Sequence, residues 1–312
     1  MEYLSFTWNP AEGLDLGFYT LQYYSLMFVI AFSVGWFIMK RIYKNEGVPL
    51  EKLDSLFIYM VLAILIGARL GHVIFYQSEL ITQDPLSVFL PIETQPEFRF
   101  TGFRGLASHG AAIGIIIAMF LYNKKVLKKP ILWIFDRIII PVAIGGVFVR
   151  LGNFINSEII GKATTSDFPF GVRFIKNYYN DREVTQLTGI KDVQAAYDAL
   201  ESDPQFSEYL EKVPWSHPAQ LYEAAGYVIL FLILWYIYWK TDKRKQLGYI
   251  FGLFLILMWT IRFIAEFFKK SQGGFEEWEM LRNTLSTGQW LSIPFIIVGI
   301  YLMLKSSKKK ID

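Results

Sequence analysis

The chain has 312 residues, 53% of them apolar, with 31 basic against 28 acidic side chains, a net charge of +3 and no cysteine. A mean hydropathy of +0.32, with charge confined to short islands between apolar runs, describes an integral membrane protein and not a water-soluble domain. The absence of cysteine removes disulfides, thiolate metal sites and a cysteine nucleophile, and three histidines with no pair at helical spacing argue against a zinc site. No metal or cofactor is expected.

A run of about 20 apolar residues spans a hydrocarbon core of ~30 Å as a helix, because only intra-segment hydrogen bonds satisfy the backbone there. About seven such runs follow one another, near residues 21–39, 56–76, 106–122, 131–151, 220–239, 248–268 and 288–304. The first is too long for the apolar stretch of a signal peptide and is read as a retained helix. Basic clusters follow alternate runs: Lys40, Arg41 and Lys44; Lys124, Lys125, Lys128 and Lys129; Lys240, Lys243, Arg244 and Lys245; Lys305 and Lys308 to Lys310. Since cytoplasmic loops are enriched in Lys and Arg, the N-terminus is expected outside and the C-terminus in the cytoplasm. The net charge reports topology, and no basic strip interleaved with aromatics points to nucleic acid. The fold expected is a single all-α membrane domain. Residues 162–216, between helices four and five, form a small extracytoplasmic α/β insertion, helical in Val193 to Leu210 and extended in "DFPFGVRFI". No internal repeat is visible.

Polar residues placed within apolar runs carry the rest. Each ionised side chain near a helix centre costs roughly 2.5 to 3.5 kcal/mol on insertion scales, so Arg69, Asp136, Arg137, Glu223, Arg262 and Glu266 must pair or face a wet cavity. Arg69, in "GARLG", is read as held by neighbouring carbonyls beside a Gly67 to Gly71 contact, and Asp136 with Arg137 as membrane-interface residues. Arg262 and Glu266, at i and i+4, are either a plain intrahelical ion pair or part of a site. His109, in "RGLASHGAAIG", lies among small residues that leave space around its ring, and "HPAQLYE" places His217 and Glu223 about a helix start. In "RLGNFINSE", Arg150, Asn153 and Ser157 share one face if the helix continues, and Gly152 allows it to break. Arg150, His109, His217, Glu223, Arg262 and Glu266 fall toward the outer ends of their helices. A polar chamber near the outer leaflet follows, and two arginines suit the phosphodiester of a lipid headgroup.

These blocks also carry a resemblance. "RLGNFINSEIIG" resembles the signature of bacterial phosphatidylglycerol:prolipoprotein diacylglyceryl transferases, and "GARLGHVIFY", "GLASHGAAIG", "HPAQLYEA", "RFIAEFF" and "GQWLSIP" resemble further blocks of that family in the same order. The resemblance implies a multi-pass enzyme of the bacterial cytoplasmic (inner) membrane. Its reaction is transfer of the diacylglyceryl group of phosphatidylglycerol to the lipobox cysteine of a prolipoprotein signal peptide, with release of glycerol 1-phosphate. It further implies catalytic roles for His109, Arg150, Arg262 and Tyr24. Substrate contacts would come from Arg150, Asn153, Glu158, Gly161, Arg262, Glu266, His217 and Glu223. Two positions depart from the family's pattern, Arg104-Gly105 where Gly-Gly is common and Met258 where a tyrosine is common. The alternative from the residues alone is a lipid transporter or flippase with an arginine-lined headgroup cavity, which would move lipid without consuming it.

Overall fold

The computed structural model describes residues 5–17, 20–90, 92–94, 97–100, 105, 107–271 and 284–306; Arg104 and Lys308 to Lys310 lie outside the described residues. Strands β1 (Phe6–Trp8), β2 (Gly13–Asp15) and β3 (Thr20–Gln22) precede helices α1 (Tyr23–Asn45) and α2 (Leu50–Tyr76). Short helices α3 (Leu80–Gln83) and α4 (Pro85–Phe89) and the hairpin β4 (Ile92–Glu93) and β5 (Arg99–Phe100) lead to α5 (Ser108–Tyr122) and α6 (Ile131–Ile155). Then come β6 (Val172–Phe174), α7 (Ile175–Tyr178), α8 (Asp181–Thr188), α9 (Val193–Ser202), α10 (Ser207–Glu211) and β7 (Trp215–Ser216). Helices α11 (Ala219–Lys240), α12 (Tyr249–Ala265) and α13 (Thr287–Ser306) complete the order. Six of these, α1, α2, α5 with its continuation to Leu127, α6, α11 and α13, are long and apolar enough to cross a membrane. Helix α12 is apolar and shorter, at 17 residues. The chain is an all-α integral membrane protein with a small sheet-bearing insertion.

Residues 39–135 form one compact unit, and residues 1–38 with 136–312 form another. In the first, α2 packs on α5 through glycines, because only a missing Cβ lets two helix backbones approach so closely. A Cβ on Gly110 would stand 2.6 Å from the Cα of Gly71, and one on Gly67 would stand 3.1 Å from the Cα of Gly114. Gly110→Val is therefore expected to cost about 1–3 kcal/mol, the usual penalty of overpacking, read as a lower melting temperature in detergent. Arg69 is held by carbonyls: its Nε donates to Val88 O at 3.2 Å, Nη2 to Ser87 O at 2.5 Å and Nη1 to Gly105 O at 3.5 Å.

In the second unit α12 packs against α11 and α13, where Gly252 lies against the backbone of Gly299. Gly248 plays a different part, taking φ +84° as the residue that opens α12. Asp136 and Arg137 are buried within the protein, with exposures of 0% and 1%. The Asp136 carboxylate accepts from the backbone N–H of Gly248 at 2.7 Å and Phe251 at 2.8 Å. It satisfies the otherwise orphan donors at the start of α12 and complements that helix's positive end. Arg137 donates to Arg244 O at 3.1 Å.

The insertion has its own core of Ile175, Val184, Ala196, Tyr197, Leu200 and Phe206. Its helical stretch breaks after Ser202 where Pro204 begins a single 3₁₀ turn. Strand β6 is the middle of a three-stranded sheet, parallel to β1 and antiparallel to β7. The N-terminal segment thereby reaches the end of α6: the Trp8 indole N–H donates to Phe154 O at 2.8 Å, and its ring lies 4.5 Å from that of Phe154. Phe154 O also accepts from the Ser157 N–H at 3.0 Å, so the two bonds together satisfy a carbonyl at the C-terminus of α6.

Candidate functional site

Helix α6 does not break at Gly152. It continues to Ile155 because Gly152 leaves room for the Tyr24 ring, whose Cδ2 would lie 2.6 Å from an added Cβ. The helix then ends in two left-handed residues, Ser157 at φ +55° and Ile159 at φ +57°. The last two turns thus carry Arg150 and Asn153, and the turn beyond them carries Glu158.

Arg150 is 9% exposed and Glu223, on α11, is 1% exposed. Arg150 Nε stands 2.6 Å from Glu223 Oε2, and Arg150 Nη1 donates to Asn153 Oδ1 at 3.3 Å. The network runs on into the loop. Asn153 Nδ2 donates to Glu158 Oε2 at 3.4 Å, Asn156 Nδ2 to Glu158 Oε1 at 2.8 Å, and Gln220 Nε2 to the Glu158 carbonyl at 2.5 Å. Asn177, in α7, donates to Ser157 O at 3.0 Å, so the insertion also grips this loop. Tyr24 faces Asn153, Arg150 and Glu158, and Tyr227 faces Arg150 and Glu223.

Gly161 joins three sequence blocks through their backbones. Its N–H donates to His217 O at 2.9 Å, the next residue's N–H donates to Phe268 O at 2.7 Å, and Lys270 N–H donates to Ile160 O at 3.2 Å. A Cβ at Gly161 would stand 2.6 Å from the Cβ of His217 and 2.7 Å from Phe268 O, which is why glycine is needed. His217 itself is enclosed by aromatic rings. Its ring centroid lies 4.5 Å from Phe168 and 5.5 Å from Phe268, and its Nδ1 meets the Tyr222 hydroxyl at 3.2 Å. Burial pushes the His217 pKa below the ordinary imidazole value.

Arg262 and Glu266 follow on α12 and its end. Arg262 Nη2 is 3.8 Å from Glu266 Oε1, a loose pair, and the Arg262 side chain is 30% exposed. Its guanidinium carbon stands 5.9 Å from the Trp259 ring, which stacks on Phe295 at 4.2 Å. Among the described residues its Nε has no hydrogen-bond partner. Glu266 has firmer contacts elsewhere, accepting from Ser286 Oγ at 3.1 Å and lying 3.5 Å from Lys269 Nζ. Its carboxyl also fills the space beside Gly288, so it seats the first turn of α13.

Lys269 is the residue that sequence reasoning missed. It is 5% exposed, and burial pushes its pKa below the ordinary lysine value, while Glu266 and Glu223 act in the opposite direction. In the sequence it reads as one of two lysines closing an apolar run. The available signal was spacing, since Arg262, Glu266 and Lys269 recur at helical intervals on one face. Three cations, Arg150, Arg262 and Lys269, are thus gathered around Glu223 and Glu266. His109 stands in the other unit, exposed in the first turn of α5, with its ring 5.0 Å from Phe75 and 5.8 Å from Tyr76.

Fold and site define a multi-pass helical membrane protein with a largely buried polar cluster of arginine, lysine and glutamate side chains at the ends of apolar helices. The chain belongs to the prolipoprotein diacylglyceryl transferase family, whose model matches residues 12–305. It is 38% identical over 304 residues to the phosphatidylglycerol–prolipoprotein diacylglyceryl transferase of Tolumonas auensis, covering 97% of this chain and 98% of that protein. It is 35% identical over 310 residues to the protein of that name from Bacteroides fragilis, covering 98% and 97%. A third relative of that name, from Porphyromonas gingivalis, is 35% identical over 300 residues, covering 93% and 90%.

Proposed function

We propose that the chain transfers the diacylglyceryl group of phosphatidylglycerol to the lipobox cysteine thiol of a prolipoprotein, in the bacterial cytoplasmic (inner) membrane with its N-terminus outside. The observation that carries this reading is the gathering of Arg150, Arg262 and Lys269 in one largely buried cluster with the carboxylates Glu158, Glu223 and Glu266, in which Arg262 is held only loosely, 3.8 Å from Glu266 Oε1. Arg262, whose Nε has no hydrogen-bond partner among the described residues, has donor capacity left for a phosphate. In the reaction the thiolate sulfur attacks the glyceryl carbon next to the phosphate, a C–S bond forms, the C–O bond to phosphate breaks, and glycerol 1-phosphate leaves. Negative charge grows on the departing phosphate monoester, so cations fixed beside it bind the transition state more tightly than the lipid. Arginine supplies the fork of donors that a phosphate matches in pairs. Asn153 and Tyr24 orient the headgroup beside Arg150, Glu158 holds the loop, and Glu266 orients Arg262. His217 and Gly161 tie the wall together through their backbones.

The thiol must ionise. With a free pKa near 8.5, deprotonation at pH 7 costs about 2 kcal/mol, and a neutral imidazole within reach takes that proton. His109 is assigned this role because it is an exposed imidazole in the first turn of its helix. His109→Gln is expected to lower transfer by about 10²–10⁴-fold, measured with purified protein and a lipobox peptide. Full transfer by that variant would remove His109 from the mechanism. The reaction itself is tested in detergent with phosphatidylglycerol and a lipobox peptide carrying either cysteine or serine. Thioether-linked lipid and free glycerol phosphate on the cysteine peptide alone support the transferase. Unchanged lipid and peptide would sink it.

A further inference from the structure

Three acceptor atoms on two neighbouring residues of the site have no hydrogen-bond donor among the described residues. Gln220, in the first turn of α11, is 0% exposed, and its Nε2 is committed to the Glu158 carbonyl. Its Oε1 has no hydrogen-bond partner among the described residues. Glu223 lies one turn further along the same face of α11, because residues three apart on a helix are neighbours. Its Oε2 forms an ion pair with Arg150 Nε at 2.6 Å, and neither Oε1 nor Oε2 has a hydrogen-bond partner among the described residues. A buried acceptor without a donor is unfavourable, and a donor brought by a ligand relieves that cost.

The chemistry of the missing donors follows from the neighbours. A cation would repeat what Arg150 already supplies, and a phosphate would bring acceptors to acceptors. Hydroxyls are donors, and two of them on adjacent carbons match an amide oxygen and a carboxylate oxygen one helical turn apart. From this geometry we infer that Gln220 and Glu223 bind the vicinal diol of the donor's terminal glycerol, and that Gln220 is a specificity-determining residue for that headgroup. The inference rests on the reading of phosphatidylglycerol as donor. Arg150, bonded to Glu223, then holds the phosphate while the diol beyond it meets α11. The Gln220 Nε2 bond to Glu158 O fixes which end of the amide faces the diol.

The experiment compares two donors in detergent: phosphatidylglycerol, and a lipid of the same acyl chains whose phosphate carries n-propanol, which has no diol. The unaltered chain is expected to favour phosphatidylglycerol in kcat/KM by at least about fivefold, the value of one neutral hydrogen bond. Gln220→Met, which keeps the side-chain length and removes the acceptor, is expected to lower transfer from phosphatidylglycerol while leaving a smaller preference between the two lipids. A merely structural role would lower both lipids equally. An unchanged preference in Gln220→Met therefore overturns the inference, as does equal use of both lipids by the unaltered chain. The second comparison needs no variant, so misfolding of Gln220→Met leaves it decisive. Transfer from neither lipid by the unaltered chain would defeat the donor assignment itself, and this inference with it.

Discussion

Arg150→Gln is expected to lose both stability and transfer, and the two losses separate in a second variant. Arg150 and Glu223 form a pair at 2.6 Å with exposures of 9% and 1%. Removing one partner leaves a buried carboxylate without its nearest counter-ion, which costs up to about 3–5 kcal/mol. The melting temperature of Arg150→Gln in detergent should fall accordingly. Replacing Glu223 as well, in Arg150→Gln with Glu223→Gln, removes the stranded charge, and most of the lost stability should return. Transfer should not return. A fixed donor aimed at developing charge is worth about 10²–10³-fold, and neither glutamine restores a cation beside the phosphate. If the double variant regained transfer along with stability, Arg150 would be a structural counterion and not a headgroup ligand.

The legible part of the protein is the part governed by hydrophobic transfer. Apolar runs and their basic flanks mark the membrane helices because each span must satisfy its own backbone and hide its charges. Polar ends are harder. Helix α2 starts at Leu50, ahead of its apolar run, since Glu51, Lys52 and Asp54 lie in a first stretch that hydropathy does not see. Helix α12 stops at Ala265, where Glu266 leaves the helix to meet Ser286. Strand β1 was illegible for another reason: it pairs with β6 across more than half of the chain, and three residues have no periodicity of their own. Within the site, "RLGNFINSE" and "HPAQLYE" announce themselves by placing costly polar groups beside apolar runs. Lys269 does not, because a lysine after an apolar helix ordinarily snorkels to the interface. Only the fold turns it inward, through the backbone pairing of Gly161 with the segment after α12. Asp136 was legible only in part. Its depth marks it as an interface residue, while the start of α12 supplies N–H donors that no linear reading could place beside it.

Arg262→Gln should separate the two properties in a single step, because Arg262 differs from Arg150 in its commitments. Its side chain is 30% exposed, and its contact with Glu266 is 3.8 Å. Glu266 keeps Ser286 and Lys269 when Arg262 is gone. No carboxylate is stranded, so the stability cost should stay within about 1 kcal/mol, as for a partly exposed pair. The loss of transfer should still be about 10²–10³-fold, because the guanidinium stands within range of the other charges of the site with its Nε unengaged among the described residues. Arg262→Lys sharpens the point. A lysine keeps the charge and loses the planar fork, together with the flat contact that holds the guanidinium near Trp259. Transfer by the lysine variant should therefore lie between that of the unaltered chain and that of the glutamine variant, with KM for the lipid raised. Equal activity of the lysine variant and the unaltered chain would reduce Arg262 to a source of positive potential, and the paired geometry of two forks on one phosphate would have to be given up.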